Sequence, residues 1–539
     1  MEKEIAKQNG KTKKNLYKSA IELITVGSIT GVFAGAVVTL FNVLAHEGES
    51  ISKNVYAYVR ANPLFVPLLF LVLALGGFLL GVAVRISAII HGCGIPQAEG
   101  AARGVLRFTW YKDMTMAFAA CLMSIFMGLS IGAEGPSVLI GSCAGDGVAG
   151  MLRRDNMVRK YQIAGGACAG LAVASNAPLT GMAFAFEEAF KRFTPEVFIC
   201  SFSSVVFGVL TRTLIYNLLG FSVQSSFHSY LFNEMPFSSY GYVVLAGIAC
   251  GLLGVAFYKF AFWLRKLFKR MHAKDERLNA TLRITTAVLI GGVVSLLSAS
   301  VMGGGHDLIE SLGTLGGMKE QTTLTAFGLP IFWTLMVVCV LKFIITGVNV
   351  GAGIPCGIFI PMIAIGACLG GTLNVVWVKL GMDKSLCDLM IMICMAAFFT
   401  TIVKEPITSI IMICEFTGSF APLLPVIIAV SIGYTIGEMF RTDGIYEELL
   451  EAYEEENGIH EKARREMYVL GVGAHSIADK REVRDVLWPA NTRVTEIARG
   501  EEVILPDGDT VLKSGDVLTI VCYTDDSKKT REELEHILG

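Results

Sequence analysis

Apolar residues come in long unbroken runs along most of this chain, and polar residues gather between the runs rather than alternating with them. The segments "LFVPLLFLVLALGGFLLGVAV" (64–84), "YVVLAGIACGLLGVAFYKFAF" (242–262) and "LRITTAVLIGGVVSLLSASVM" (282–302) each reach the ~20 residues a helix needs to cross a bilayer. The pattern predicts an all-α polytopic bundle in the membrane, and it changes only near the two ends. Residues 1–20, "MEKEIAKQNGKTKKNLYKSA", are lysine-rich and polar, unlike a cleaved signal peptide. Beyond about residue 445 the long runs stop. An acidic stretch at 446–466, "YEELLEAYEEENGIHEKARRE", predicts a solvated helical connector. Residues 467–539 show short alternating strands with "PDGD" and "KSGD" turns, which predicts a small cytoplasmic α+β domain.

Composition sharpens this picture. The chain is 53% hydrophobic and 17% charged, with 57 glycines in 539 residues, too apolar and too glycine-rich for a soluble enzyme of that length. Its net charge of −2 selects no partner, and no nucleic-acid partner is expected. The 13 cysteines stand singly with no CxxC pair, as small core residues rather than disulfides or zinc ligands. By the positive-inside rule the N-terminal segment, the basic connection "RKLFKRMHAKDER" (265–277) and the tail should share the cytoplasmic side of the cell membrane. An intramembrane protease would need a serine–histidine pair, two helical histidines at i, i+4, or two facing aspartates. The 8 histidines are isolated and "AGDG" (144–147) holds one aspartate, so no enzyme, no metal and no required cofactor is expected.

Two pairs of segments match within the membrane part. "PSVLIGSCAG" (136–145) parallels "PMIAIGACLG" (361–370), and "PLTGMAFAFE" (178–187) parallels "PITSIIMICE" (406–415). Nearly equal offsets predict a duplication, with repeats at about 21–225 and 226–445. Such halves in transporters often have inverted topology, with the site at their interface. Three stretches that join glycine to a helix-starting proline interrupt the apolar sequence: "HGCGIPQAEG" (91–100), "GAEGP" (132–136) and "GAGIPCGIFIP" (351–361). Irregular backbone at membrane depth is tolerated where it lines a cavity. The start of a broken helix presents unpaired N–H groups and a partial positive charge, which hold anions. Close packing through small residues competes as an explanation for any one stretch. Their joint pattern favours a site.

"GCGIP", "GAEGP" and "GIFIP", in this order, resemble the three anion-site signatures of the CLC chloride channels and transporters, over about residues 20–450. The resemblance implies an inverted-repeat helical fold and a homodimer with an anion pathway in each subunit. It implies a central chloride held by the backbone N–H groups of Ile358 and Phe359, the side chain of Cys93 and the hydroxyl of Tyr446. Uncharged donors of this kind bind a monovalent anion without trapping it as a lysine would. Glu134 matches the family's gate, whose carboxylate occupies an outer anion position when ionised and swings away when protonated. A carboxylate facing helix N-termini is stabilised as an anion while burial works against its charge. A charge at membrane depth costs ~2.5–3.5 kcal/mol on insertion scales, which disfavours a purely structural role.

In "NAPLTGMAFAFEEAFKRF" (176–193) the second acid of the pair, Glu188, matches the family's internal proton-transfer glutamate, which members that only conduct tend to lack. The expected activity is chloride/proton antiport, with a passive voltage- or pH-gated chloride channel as the alternative. Lys191 and Arg192 also stand at helical spacing from the pair, where a surface ion pair of little worth could form. Glu187 is assigned to structure because Glu415 occupies its place in the second repeat.

Two departures bear on this expectation. Ala133 stands where the family usually has a basic residue before the gate, leaving the local potential open. Cys93 stands where chloride members usually have serine and where proline goes with nitrate preference; its thiol is a weaker, softer donor. A fluoride-exporting subgroup lacks the tyrosine, so Tyr446 argues against membership there. The tail resembles the C-terminal domain of TrkA-type potassium-uptake regulators, mainly through "P-x-G-D-x-x-L-x-x-G-D-x-L" at 506–518. Paired in a dimer, two such domains would form a symmetric cleft for a cyclic dinucleotide such as cyclic di-AMP. A dimer-stabilising appendage without a ligand is the alternative.

Overall fold

The computed structural model describes all residues except 1, 155, 190–193, 222–226, 228, 229, 231, 233, 234, 272–277, 314–328, 421, 459–463, 475, 501, 525 and 526. Lys191, Arg192 and the end of the basic connection therefore lie outside the described residues. The membrane part comprises two successive sets of helices. The first is α1 (Glu2–Ala61), α2 (Val66–Ile86), α3 (Ile95–Arg103), α4 (Trp110–Phe126), α5 (Glu134–Met151), α6 (Asn156–Ser175), α7 (Pro178–Phe184) and α8 (Pro195–Leu219). The second is α9 (Tyr240–Lys269), α10 (Asn279–Leu297), α11 (His306–Gly313), α12 (Ile331–Ala352), α13 (Phe359–Lys379), α14 (Cys387–Val403), α15 (Pro406–Thr417) and α16 (Leu423–Met439). Packing repeats between them: α5 lies on α6 as α13 lies on α14, and α1 on α8 as α9 on α16. The halves meet through α2 with α10 and α7 with α15.

Among the described residues, 8 helical stretches are long and apolar enough to cross a membrane, beginning with Ala20–Ala61 and ending with Lys384–Val403. Their burial separates two kinds. On α2 the buried positions Leu69, Leu73, Gly76, Gly77 and Leu80 form one stripe, and Leu68, Leu71, Leu75 and Leu79 face outward, as expected of a helix with one protein side and one lipid side. α14 is buried at every residue, so its uniform apolarity meets protein on all sides. Within 136–145 the glycines serve packing: a Cβ on Gly141 would run into the Gly166 carbonyl, and one on Gly166 into that of Gly141. The backbones of α5 and α6 touch because neither carries a side chain there.

The two repeats cap each other's helices. The Glu187 carboxylate accepts the N–H groups of Ile407 (3.0 Å) and Thr408 (2.6 Å) in the first turn of α15. Glu415 accepts those of Leu179 and Thr180 (2.9 Å each) and the Thr180 hydroxyl (2.8 Å) in the first turn of α7. Each acid thus satisfies orphan donors at a positive helix end, a structural task for Glu187 that its match with Glu415 anticipated. Loss of a cap costs about 0.5–2 kcal/mol. Glu187→Ala and Glu415→Ala should each lower the thermal midpoint of the purified protein in detergent, and the double variant by their sum. An unchanged midpoint in both singles would remove the capping role.

The acidic stretch departs from expectation. The helix α17 spans Ile445–Glu456, and a strand has begun by Arg464, so the helical run stops well short of 466. Nor is it merely solvated: Ile445, Tyr446, Leu449, Leu450 and Tyr453 recur at helical spacing and are buried, with α17 packed on α3 and α14. Glu456 pairs with Arg265 (2.9 Å) and Lys269 (3.0 Å) of α9.

The tail is an antiparallel sheet of β1 (Arg464–Gly471), β2 (Thr492–Arg499), β3 (Glu502–Ile504) and β4 (Val517–Thr524) in the order β1-β4-β2-β3, with α18 (Ser527–Leu538) packed on β1. Ile497, Leu518, Ile520, Leu534 and Ile537 fill its core. The "KSGD" acid has a structural part. Asp516 accepts Arg499 at 2.8 and 2.7 Å and the Lys513 N–H at 2.8 Å, and the Arg499 hydrogen bonds hold its carboxyl below the usual carboxylate range.

Candidate functional site

The three glycine–proline stretches are bound to one another. Gly132 and Gly357 form an antiparallel bridge, with N–H to oxygen distances of 2.8 and 3.1 Å in the two directions. The Cys356 N–H donates to the Gly92 carbonyl at 3.2 Å. Gly94 has φ +87°, a conformation L side chains rarely adopt, and a Cβ there would lie 2.7 Å from the Gly135 carbonyl oxygen. Glycine is thus needed both to turn the chain into α3 and to let α5 approach. The consequence is convergence. α3, α5 and α13 all start at this knot, at Ile95, Glu134 and Phe359.

At these three helix starts the N-cap residues Gly94, Ala133 and Ile358 supply no side-chain capping hydrogen bond. First-turn N–H groups left this way are satisfied by water or a ligand, and their partial charge selects an anion. Cys93, Ile358 and Phe359 are all buried at the knot, and the Phe359 ring is fixed edge-on against Phe399, centroids 4.8 Å apart. A narrow cavity passes Cys93 and Ile358 and continues to Arg265, walled by Cys356, Leu449 and Tyr453.

Tyr446 enters from α17. Its side chain is 1% exposed, and among the described residues its hydroxyl has no hydrogen-bond partner. It lies within electrostatic reach of Cys93, Glu134, Glu188 and Glu405. Leaving a buried donor unmade costs about 1–3 kcal/mol, a penalty that an anion accepting from it would relieve. The structure thus places Cys93 and Ile358 on one cavity and Tyr446 near Cys93 and Glu134, although these residues are far apart in the chain.

Glu134 is the first residue of α5 and is 2% exposed. One carboxylate oxygen lies 3.4 Å from His306 Nε2; the other has no hydrogen-bond partner among the described residues. Glu188 is also buried, within a π-helical turn over Ala185–Ala189. A π turn inserts one residue into the helical phase. Consecutive acids can then serve different places: Glu187 caps α15, and Glu188 lies within electrostatic reach of Cys93 and Tyr446.

Three basic residues at the site escaped the sequence pattern. His306 starts α11, Arg265 lines the cavity, and Lys342 of α12 is fully buried with its ammonium on Ser130 Oγ (3.3 Å) and the Val301 (3.3 Å) and Gly303 (3.2 Å) carbonyls. A lone lysine inside the apolar run 331–352 was a usable signal, since an intramembrane charge is a functional candidate by default. For His306 the glycines of "GGGH" offered only a helix start. Among the described residues, no group of His, Cys, Asp and Glu could hold a metal ion.

Comparison with known proteins adds the following. The family model described as voltage gated chloride channel matches residues 76–438, and that of the TrkA-C domain matches 468–535. The H(+)/Cl(-) exchange transporter ClcA of Vibrio cholerae serotype O1 is 28% identical over 448 residues, which are 80% of this chain and 90% of the relative. A slow cyanobacterial Cl−/H+ antiporter of known crystal structure superposes with a TM-score of 0.69 at 24% identity, over 81% of this chain and 99% of the other. A CLC-type fluoride/proton antiporter gives 0.60 at 18% identity, over 78% and 96%.

Proposed function

Since this chain belongs to the voltage gated chloride channel family, we propose that it is a chloride/proton antiporter, with transport rather than catalysis as its activity. The observation that carries the proposal is the joining of two chemistries at one knot: three helix starts whose N-cap residues supply no side-chain cap, with neutral donors beside them, and two buried carboxylates. The exchange activity named for the Vibrio cholerae relative supports it. In this mechanism the Ile358 and Phe359 N–H groups, Cys93 and Tyr446 hold chloride. Glu134 competes with the anion when ionised and leaves when protonated, and Glu188 passes protons between Glu134 and the cytoplasm. Uphill proton movement driven by a chloride gradient in liposomes is the expected result. Chloride current above exchanger turnover, with no proton movement, would overturn it in favour of a passive channel.

Selectivity in this proposal depends on Cys93, which meets the dehydrated anion. Cys93→Ser should keep or strengthen chloride binding, and Cys93→Pro should shift preference toward nitrate. Calorimetric titration with both anions reads this; unchanged relative affinities in both variants would place Cys93 outside the site.

The proposal extends to the assembly: a homodimer in the cell membrane, with both termini cytoplasmic and a pathway in each subunit. It rests on the family resemblance and on the lysine-rich N-terminal segment. The paired TrkA-C domains bind a cyclic dinucleotide, cyclic di-AMP first, and alter transport through a difference in affinity between two conformations. Mass measurement in detergent tests the dimer. A thermal shift with cyclic di-AMP, lost in a version ending near residue 455, tests the ligand.

A further inference from the structure

We propose that His306 is a positioning residue for the gate, supplying from α11 the positive charge that Ala133 does not, and that it makes this charge dependent on external pH. The inference deepens the exchanger reading and rests on it. Among the described residues, His306 is the side chain that meets the Glu134 carboxylate, Nε2 to Oε1 at 3.4 Å. Its imidazole leans on the Phe227 ring, with centroids 5.7 Å apart and planes 35° apart, which limits its rotation. The histidine side chain is 41% exposed and the Glu134 side chain 2%. One ring therefore touches both the buried carboxylate and the solvent.

The other charged groups around His306 do not replace it. On α1, Lys53 is taken by Glu49 (2.8 Å) and by Asp307 (2.5 Å), the residue next to His306. His46 of α1 lies within electrostatic reach of Asp307. Lys342 of α12 is held on neutral oxygens of Ser130, Val301 and Gly303. Burial works against the charge of the imidazole, but the acidic groups around it, Glu134, Glu49 and Asp307, outweigh burial and favour its protonated form.

The sign follows directly. An imidazolium 3.4 Å from a carboxylate oxygen favours the ionised form of that carboxylate by opposite charge, an effect that solvent weakens. While His306 is charged, a higher proton activity is needed to protonate Glu134 and open the gate. A fixed cation would hold that restraint at every pH; a histidine releases it as external pH rises through its own titration.

The test is chloride efflux against external pH, with proton coupling read in parallel, for the full-length chain in liposomes. His306→Phe and His306→Gln should both move the midpoint of the pH dependence upward by about 1 unit. His306→Lys should bring it back to the wild-type midpoint or below, and coupling should persist in all three. In a Glu134→Gln background the same substitutions should change nothing. Unshifted midpoints in His306→Phe and His306→Gln, with wild-type coupling intact, would overturn this inference alone. So would a His306→Gln variant that behaves as wild type, since the contact would then be a hydrogen bond without a charge. So would a shift that survives Glu134→Gln. Absent coupling in the wild type would instead overturn the exchanger proposal itself.

Discussion

Glu134→Gln should stop proton movement while chloride continues to pass, at a rate external pH no longer controls. Glutamine has the shape and neutrality of the protonated acid but cannot ionise, so it freezes the gate in its open form. The side chain is buried at the first residue of α5, where an ionised carboxylate would compete with an anion for the same helix end. Coupling should fall to the background of protein-free liposomes, and the pH profile should become flat. Unfolding is not expected to confuse the result, because the amide keeps the size and shape of the acid and takes away a charge that burial penalises. Intact proton pumping in this variant would sink the gate assignment.

Glu188→Gln should also abolish coupling, with a different signature: chloride flux persists and still responds to external pH, because Glu134 is untouched. Glu187 spends both oxygens on the α15 N-terminus, so Glu187→Gln should weaken stability and leave coupling in place. Glu188 is buried on the side of Tyr446 and Cys93, where a proton can move toward the anion site. The pair of variants separates the acids in one set of flux measurements. Unchanged coupling in Glu188→Gln would mean that protons travel by another route.

The membrane helices were legible because their signal is local. A run of some twenty apolar residues, or a glycine–proline stretch inside one, carries its meaning within itself. That Glu187 has a structural task was legible from its match with Glu415, and only the fold showed that the task is to cap α15. The buried face of α17 was present as the spacing of Ile445, Leu449 and Tyr453, yet the density of acids around it concealed the stripe. Tyr446 could be assigned from its family pattern, but that its hydroxyl would be left without a protein partner depended on what α3 and α14 place around it.

By itself, the sequence determined which segments cross the membrane, where they break, and which acids stand at the breaks, since hydropathy and backbone freedom are properties of each residue and its immediate neighbours. Only the tertiary structure decided how the breaks join. The Gly132–Gly357 bridge ties together turns from opposite halves of the chain, and the partner of Glu134 comes from 172 residues away. Charge acts through space, so the potential at a carboxylate belongs to the packed arrangement. Residue 133 could show that a neighbouring cation was missing, and only the packing of α11 on α13 and α14 brings the His306 ring to Glu134.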